Sequence, residues 1–213
     1  DILRALSPIW LAKPETARRV RQRIGAVMDW AKTSGYRSGD NPIEGVEKGL
    51  PKQPKNGDHH AALPYAKVPD FIGQLRGDTK IAEFIKLAFE FLVLAAARTG
   101  EVIHAKPSEI EDDVWTIPGE RMKAGKPHKV PLPARCKEIL KRANEIRNES
   151  DYIFPGRSKD KPLSQMAFLM ALRRMDVKTT VHGFRSSFRD WSAEQTNYPR
   201  EVCEMALAHT IND

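Results

Sequence analysis

The hydrophobic residues of this chain recur mostly with the period of an α-helix. After Pro14, apolar positions follow at intervals of three and four residues up to Ala31, and Ser34-Gly35 ends the pattern. Residues 81–97 are apolar over most of a helical surface, which predicts a central core helix. The same period predicts further helices at residues 68–75, 134–147, 164–175 (with Ser164 as the N-cap) and 200–208, and residues 1–10 resemble the end of another helix.

Residues 110–132 have the pattern of β-strands instead. Residues 114–117 are β-prone, and residues 128–132 form another short strand. Between them, GERMKAGKP makes a tight basic turn with Lys123 and Lys126 at or near its tip. The sequence therefore predicts a mainly α architecture with a small antiparallel β-sheet.

A boundary between two domains is expected within residues 41–63. This segment is rich in proline, glycine and lysine and shows no periodicity. We therefore divide the chain into a helical domain at 1–50, a linker at 51–62 and a second domain at 63–213. No internal repeat is visible.

Positive charge is concentrated in the first domain. Residues 1–55 contain 11 lysines and arginines and 6 acidic residues, so +5 of the net charge of +7 lies in the first quarter of the chain. Arg18, Arg19, Arg21 and Arg23 crowd the first turns of one predicted helix. A solvated helix face is the simpler interpretation, and a contact with a sugar–phosphate backbone is the alternative.

Several classes of site are disfavoured by composition. No apolar run approaches the roughly 20 residues that span a bilayer. Cys136 and Cys203 match no metal spacing, and reduced thiols of a cytosolic protein are expected. His59-His60 has only Asp58 near it as a further ligand, so a surface pair is expected there.

Candidate chemistry is concentrated between residues 180 and 209. His182 and Arg185 lie three residues apart at the start of a helical pattern and therefore share a face. His209 ends a second helical segment that can return to them. Two imidazoles and a guanidinium suit an anionic oxygen cluster better than a metal ion, because arginine does not ligate cations and its planar fork matches a phosphate.

Arg98 and the turn lysines are less specific on their own. Arg98 follows the core helix at a glycine turn, where a pair with Glu101 or a cap on helix carbonyls explains it without a function. Lys123 and Lys126 are expected to be solvated unless a phosphate lies within their reach.

Taken in order, four segments resemble the tyrosine recombinase (phage integrase) family, and in particular its prophage-type integrases. They are ARTGE at 97–101, MKAGKPHKVPL at 122–132, HGFRSSFRDW at 182–191 and LAH at 207–209. The resemblance covers essentially the whole chain. It identifies residues 14–45 with the final helices of the family's core-binding domain and residues 63–213 with most of its catalytic domain.

The resemblance implies a role for each candidate. Arg98 and Arg185 would hold the non-bridging oxygens of the scissile phosphate, and His182 and His209 would hydrogen-bond to it. Lys123 would protonate the departing 5′ oxygen as the general acid, while Lys126 and the four arginines of the basic helix would contact DNA. Glu101 would support Arg98, and no cofactor or metal is needed, because these cations supply the positive field.

Two positions depart from the family's pattern. Ala208 stands where many members have glycine, so the backbone there must tolerate a methyl group. The nucleophilic tyrosine, expected roughly ten residues beyond His209, is not among Tyr36, Tyr65, Tyr152 and Tyr198. The chain is thus expected to be a fragment that binds double-stranded DNA without cleaving it.

The resemblance also implies partners and a location. The intact protein would act as a homotetramer on DNA attachment sites in the bacterial cytoplasm, at the nucleoid, with no membrane partner, while the fragment would be monomeric. Three alternatives are a non-catalytic DNA-binding accessory protein derived from a recombinase, a type IB topoisomerase, and a metal-dependent hydrolase using His182, His209 and Asp213.

Overall fold

The computed structural model describes residues 1–53, 62–158 and 160–209. The chain forms two compact units, Asp1–Gly57 and Asp58–Asp213. The histidine pair His59-His60 and Asp213 lie outside the described residues. Within the described ranges, no helix combines the length and apolar character needed to cross a bilayer.

The first unit contains the two helices expected there. Helix α1 is Ile2–Trp10 and helix α2 is Pro14–Thr33, with Ser34 as its C-cap. They pack around a small core that includes Leu6, Trp10 and Ala17. Val27 is an exception to the predicted apolar face of α2, because it is 57% exposed, whereas Val20, Ile24, Met28 and Ala31 are half-buried. The helix also turns Gly25 inward, where the nearest side chain is Ile43.

The second unit is mainly helical with one small sheet, which confirms the predicted fold class. Its three strands are antiparallel in the order β1-β2-β3, and Trp115 of the central strand pairs with Val130. The strands are β1 (Ile110–Glu111), β2 (Val114–Ile117) and β3 (His128–Pro131). The helices are α3 (Val68–Gly77), α4 (Glu83–Leu94), α5 (Thr99–Ile103), α6 (Ala134–Ile146), α7 (Ala167–Arg174), α8 (Gly183–Gln195) and α9 (Arg200–Ala206).

Helix α4 lies at the centre of this unit, as its apolar sequence predicted. Phe89 of α4 contacts Phe71 of α3, Phe168 of α7 and Phe184 of α8. Phe91 packs against Trp115 of the sheet and against Phe154 in the segment after α6. Because α8 is anchored in this core through Phe184, the neighbouring Arg185 is held in a fixed position beside the end of α4.

Several element boundaries differ from the sequence prediction. Helix α4 ends at Leu94, not at residue 97, because Ala96 has a left-handed backbone (φ 46°) that cannot continue a helix. Ser164 is not an N-cap: its hydroxyl accepts a bond from the Met166 N–H (3.2 Å), and α7 begins at Ala167. Helix α9 ends at Ala206, not at residue 208.

The backbone at Ala208 is left-handed, with φ 49°. Glycine adopts this conformation most readily, whereas the methyl group of alanine makes it strained. This agrees with the sequence analysis, in which Ala208 stands where many members of the family have glycine. The turn ends α9 and directs the chain towards His209, whose N–H donates to the Glu204 carbonyl (3.0 Å).

Candidate functional site

Arg98 lies in the short connection between α4 and α5 and is held there by Glu101. One carboxylate oxygen of Glu101 accepts from the Arg98 backbone N–H and the other from the Arg98 guanidinium, both at 2.7 Å. The Glu101 side chain is 5% exposed and that of Arg98 is 27% exposed. The pairing proposed from the sequence is therefore present, and it leaves part of the guanidinium open to solvent.

Arg185 is a buried cation in the first turn of α8. Its guanidinium donates to the carbonyls of Ala96 and Leu207, while its Nε has no hydrogen-bond partner among the described residues. Burial, and then the charge of Arg98, lower the pKa of Arg185 to about 10, and Glu101 partly offsets them. The side chain thus stays protonated at neutral pH in surroundings that lack a full counter-charge.

The Leu207 carbonyl is the point at which these groups meet. It accepts from Arg185 and lies 3.5 Å from Nη2 of Arg98, although Arg98 and Leu207 are 109 residues apart in the chain. Two residues later, Nε2 of His209 lies 3.4 Å from Nη2 of Arg185. Three segments therefore bring two guanidinium groups and an imidazole together, and an anion with several oxygens would relieve their mutual repulsion.

His182 and Lys123 are two further site residues predicted from the sequence. His182 is the exposed residue before α8, and its carbonyl accepts from the Arg185 N–H at 3.0 Å. Lys123 and Lys126 are exposed in the connection between β2 and β3. Among the described residues, no observed contact brings either lysine to the cluster of Arg98, Arg185 and His209.

One residue of the cluster was not identified from the sequence. His128, at the start of β3, hydrogen-bonds to the backbone of Ala206, and both Arg98 and Arg185 act on it electrostatically. Burial is the main reason that the pKa of His128 is lowered, so this imidazole is neutral at physiological pH. The alternation of side chains along a strand could have identified His128, because residues two apart lie on the same face and Val130 is buried.

In the first unit, the four arginines of α2 do not form a single free face. Arg18 and Arg19 both pair with Glu15, at 3.3 and 2.8 Å. Arg21 pairs with Glu47 at 2.8 Å. Arg19 and Arg23 lie one helical turn apart and are both exposed, so these two form the face that is best placed to meet a partner.

A metal centre does not emerge from the described geometry. Among residues 1–53, 62–158 and 160–209, no three His, Cys, Asp or Glu side chains are grouped as metal ligands. The Nδ1 atom of His209 lies 2.5 Å from Glu204, and the other neighbour of this ring is a guanidinium. A guanidinium repels a cation, so this arrangement favours an anion.

Comparison with known proteins assigns a family to both parts of the chain. Residues 1–46 match the phage integrase central domain, and residues 67–211 match the phage integrase family. Prophage integrase IntZ of Escherichia coli strain K12 is 33% identical over 98% of this chain and 52% of its own length. The integrase of Enterobacteria phage P4 is 29% identical over 93% of this chain and 48% of its own length. The chain thus spans about half the length of these relatives.

Solved structures agree at the level of the fold. A lambda integrase fragment in a dimer bound to a COC′ core site has a TM-score of 0.71, with 20% identity over 94% of this chain and 74% of that one. The Tn1549 transposon integrase in complex with circular intermediate DNA has a TM-score of 0.69, with 13% identity over 92% of this chain and 72% of that one. From the family matches and the similarity to IntZ, we conclude that this chain belongs to the phage integrase, or tyrosine recombinase, family.

Proposed function

We propose that this chain is part of a site-specific recombinase that integrates or excises a mobile element, and that it supplies the phosphate-binding residues of the cleavage site but not the nucleophile. The observation that carries the proposal is the meeting of Arg98, Arg185 and His209 around one backbone carbonyl. The two fixed cations suit a phosphodiester that gains negative charge on its non-bridging oxygens when phosphorus becomes pentacovalent. His182, the residue before α8, would add a further donor.

The proposed reaction exchanges one phosphate ester for another. A tyrosine oxygen attacks phosphorus and forms a 3′-phosphotyrosyl bond, while its hydroxyl proton passes to solvent. The P–O bond to the 5′ oxygen breaks, and this leaving oxygen receives a proton from Lys123. The bond energy is kept in the protein–DNA link, so the reverse attack by a 5′ hydroxyl rejoins DNA. An exposed position in the β2–β3 connection permits Lys123 to approach the leaving oxygen when DNA is bound.

We further propose the domain division and the assembly. Residues 1–50 would be the end of a core-binding domain, 51–62 a linker, and 63–213 the catalytic domain, and each of the two domains would contact DNA. A lambda integrase tetramer is known on a Holliday junction. By analogy, four copies of the intact protein would exchange strands between two duplexes in the bacterial cytoplasm, whereas this polypeptide alone would be a monomer.

The 213-residue polypeptide is expected to bind its DNA site and form no covalent link to it. Its described tyrosines have other contacts: Tyr65 donates to Glu194 (2.9 Å), Tyr152 packs against His104 and Tyr36 against Trp30. Tyr198, at the start of the α9 segment, is 69% exposed. Denaturing electrophoresis of the protein with labelled DNA that carries the element's attachment core measures the adduct.

The matched experiment uses a protein that continues through the codons after Asp213 in its gene. If this extended protein forms an adduct that resists denaturation and is lost when its added tyrosine is changed to phenylalanine, the recombinase mechanism is supported. An adduct formed by the 213-residue polypeptide itself would contradict the assignment of the nucleophile. Binding without an adduct in both proteins would favour a DNA-binding accessory factor.

Charge reversal on α2 tests the contact of the first unit with DNA. The double variant Arg19→Glu/Arg23→Glu is expected to reduce the slope of log Kd against log salt by about two, because each lost phosphate contact removes about one released counterion. Fluorescence anisotropy at several salt concentrations measures this slope. The control Arg4→Glu/Lys32→Glu changes the net charge equally on other exposed positions of the same unit. Equal slopes for the two variants would exclude the Arg19–Arg23 face of α2 from the interface.

A further inference from the structure

Glu204, on α9, is close to three basic side chains. One of its carboxylate oxygens lies 2.8 Å from Nε of Arg189 on α8, and the other lies 2.5 Å from Nδ1 of His209. Arg200 is also within 4.0 Å. The carboxylate is 16% exposed, so these contacts are partly shielded from water. Hydrogen bonds from His209 and then Arg189 outweigh the effect of burial and lower the pKa of Glu204, so it is ionised at neutral pH.

The two ring nitrogens of His209 therefore have different surroundings. An ionised carboxylate only accepts hydrogen bonds, so Nδ1 of His209 carries a proton and donates a hydrogen bond to Glu204. Nε2 is on the other side of the ring, 3.4 Å from Nη2 of Arg185. The His209 backbone N–H also donates to the carbonyl of Glu204. Both the backbone and the side chain of His209 are thus held by the same residue.

We propose that Glu204 is a positioning residue, which holds His209 by Nδ1 so that Nε2 faces the phosphate site beside Arg185. This role rests on the proposed function. Carboxylate partners of functional histidines commonly fix the ring orientation and the tautomer in this way. Here the bond from Nδ1–H to Glu204 leaves Nε2 as the ring nitrogen that meets the proposed phosphate site.

Arg189 completes the arrangement by holding the carboxylate itself. It lies one helical turn after Arg185 on α8, so the same helix supplies a phosphate-site cation and the anchor of Glu204. Through the Glu204–His209 bond, α9 and the turn at Ala208 become part of the site. Without this bond, the 40% exposed ring of His209 would be free to rotate into solvent.

The test compares Glu204→Gln with Glu201→Gln. Glu201 is exposed in the first turn of the same helix, so its variant loses the same charge but keeps the Glu204 carboxylate that contacts the ring. Nitrogen NMR of the His209 ring in the 213-residue chain is expected to show a protonated Nδ1 in the native protein and in Glu201→Gln. In Glu204→Gln this signature should be replaced by exchange between the two tautomers. Glu204→Asp, which keeps the charge on a shorter side chain, should restore part of it.

A second measurement connects the ring to the reaction. In the extended protein, Glu204→Gln is expected to slow adduct formation at saturating DNA about 10-fold or more while Kd changes less than threefold. An unchanged ring spectrum, or a changed spectrum with a native cleavage rate, would overturn the role of Glu204. If the native extended protein forms no adduct, the proposed function fails, and the ring spectrum still decides whether Glu204 positions His209. Far-ultraviolet circular dichroism identifies a variant that does not fold, and Glu204→Asp then provides the decisive comparison.

Discussion

Arg185→Lys in the extended protein is expected to slow formation of the covalent DNA adduct about 10³-fold, with a Kd for DNA within about tenfold of native. The lysine keeps the positive charge but has one nitrogen in place of a planar fork. Arg185 now donates to two carbonyls from two nitrogens, and a third nitrogen remains unpaired in the described structure. An ammonium cannot reproduce these bonds and hold a phosphate as well. The effect should therefore fall on the chemical step.

Single-turnover kinetics at saturating DNA measure the rate, and anisotropy measures Kd. Arg142→Lys is the control, because Arg142 lies on α6 in an exposed pair with Glu83 and should leave both quantities unchanged. An Arg185→Lys protein that cleaves at the native rate would show that the buried guanidinium is structural. A loss confined to Kd would show that it binds the ground state and the transition state equally.

Local signals in the sequence account well for the elements that hold this site. Helix α2 begins at Pro14 and ends before Ser34, as predicted, because proline tolerates the first turn of a helix and Ser34-Gly35 permits the turn that ends it. The central position of α4 follows from an apolar surface that must be buried on every side. The order of four short segments was sufficient to indicate the family, since each keeps its residue types at fixed spacing.

The meeting of the side chains could not be derived in the same way. Periodicity shows which face of a helix is buried but not which partner lies 109 residues away, so the shared carbonyl of Leu207 was not foreseeable. Helix α4 ends earlier than predicted because Ala96 has a left-handed backbone. The sequence does not show this, since the residue is not a glycine. Glu90 interrupts the apolar pattern of α4, and the sequence does not show what it pairs with, because its two arginine partners come from other helices.

Glu90→Gln is expected to lower the free energy of unfolding of the second unit by about 2–4 kcal/mol. The Glu90 side chain is 3% exposed in the middle of α4 and accepts from Arg76 of α3 and Arg135 of α6. The amide turns one acceptor into a donor that faces two guanidinium groups. Both arginines are partly exposed and can turn towards water, which keeps the loss below that of a fully buried pair.

The pH dependence of this loss identifies its cause. Burial raises the pKa of Glu90, but the hydrogen bonds from Arg76 and Arg135 outweigh it and hold the pKa below its ordinary value. A carboxyl group with a lowered folded-state pKa stabilises the protein above its unfolded pKa of about 4.3, and this contribution disappears as the pH falls through the folded-state value. The difference between native protein and Glu90→Gln should hence be constant from pH 7 to about 5 and shrink below about 4.

Urea unfolding at a series of pH values measures this difference. The control Glu83→Gln lies on the same helix in an exposed pair with Arg142 and should change stability far less, since such pairs contribute little. A difference that persists unchanged into acid would mean that the charge of Glu90 is not what joins the three helices. The segment after α4 leads to Arg98, and the Ala96 carbonyl accepts a hydrogen bond from Arg185. A loosened α4 should therefore also disturb the proposed phosphate site. We expect Glu90→Gln in the extended protein to cleave DNA more slowly at temperatures where the variant remains folded.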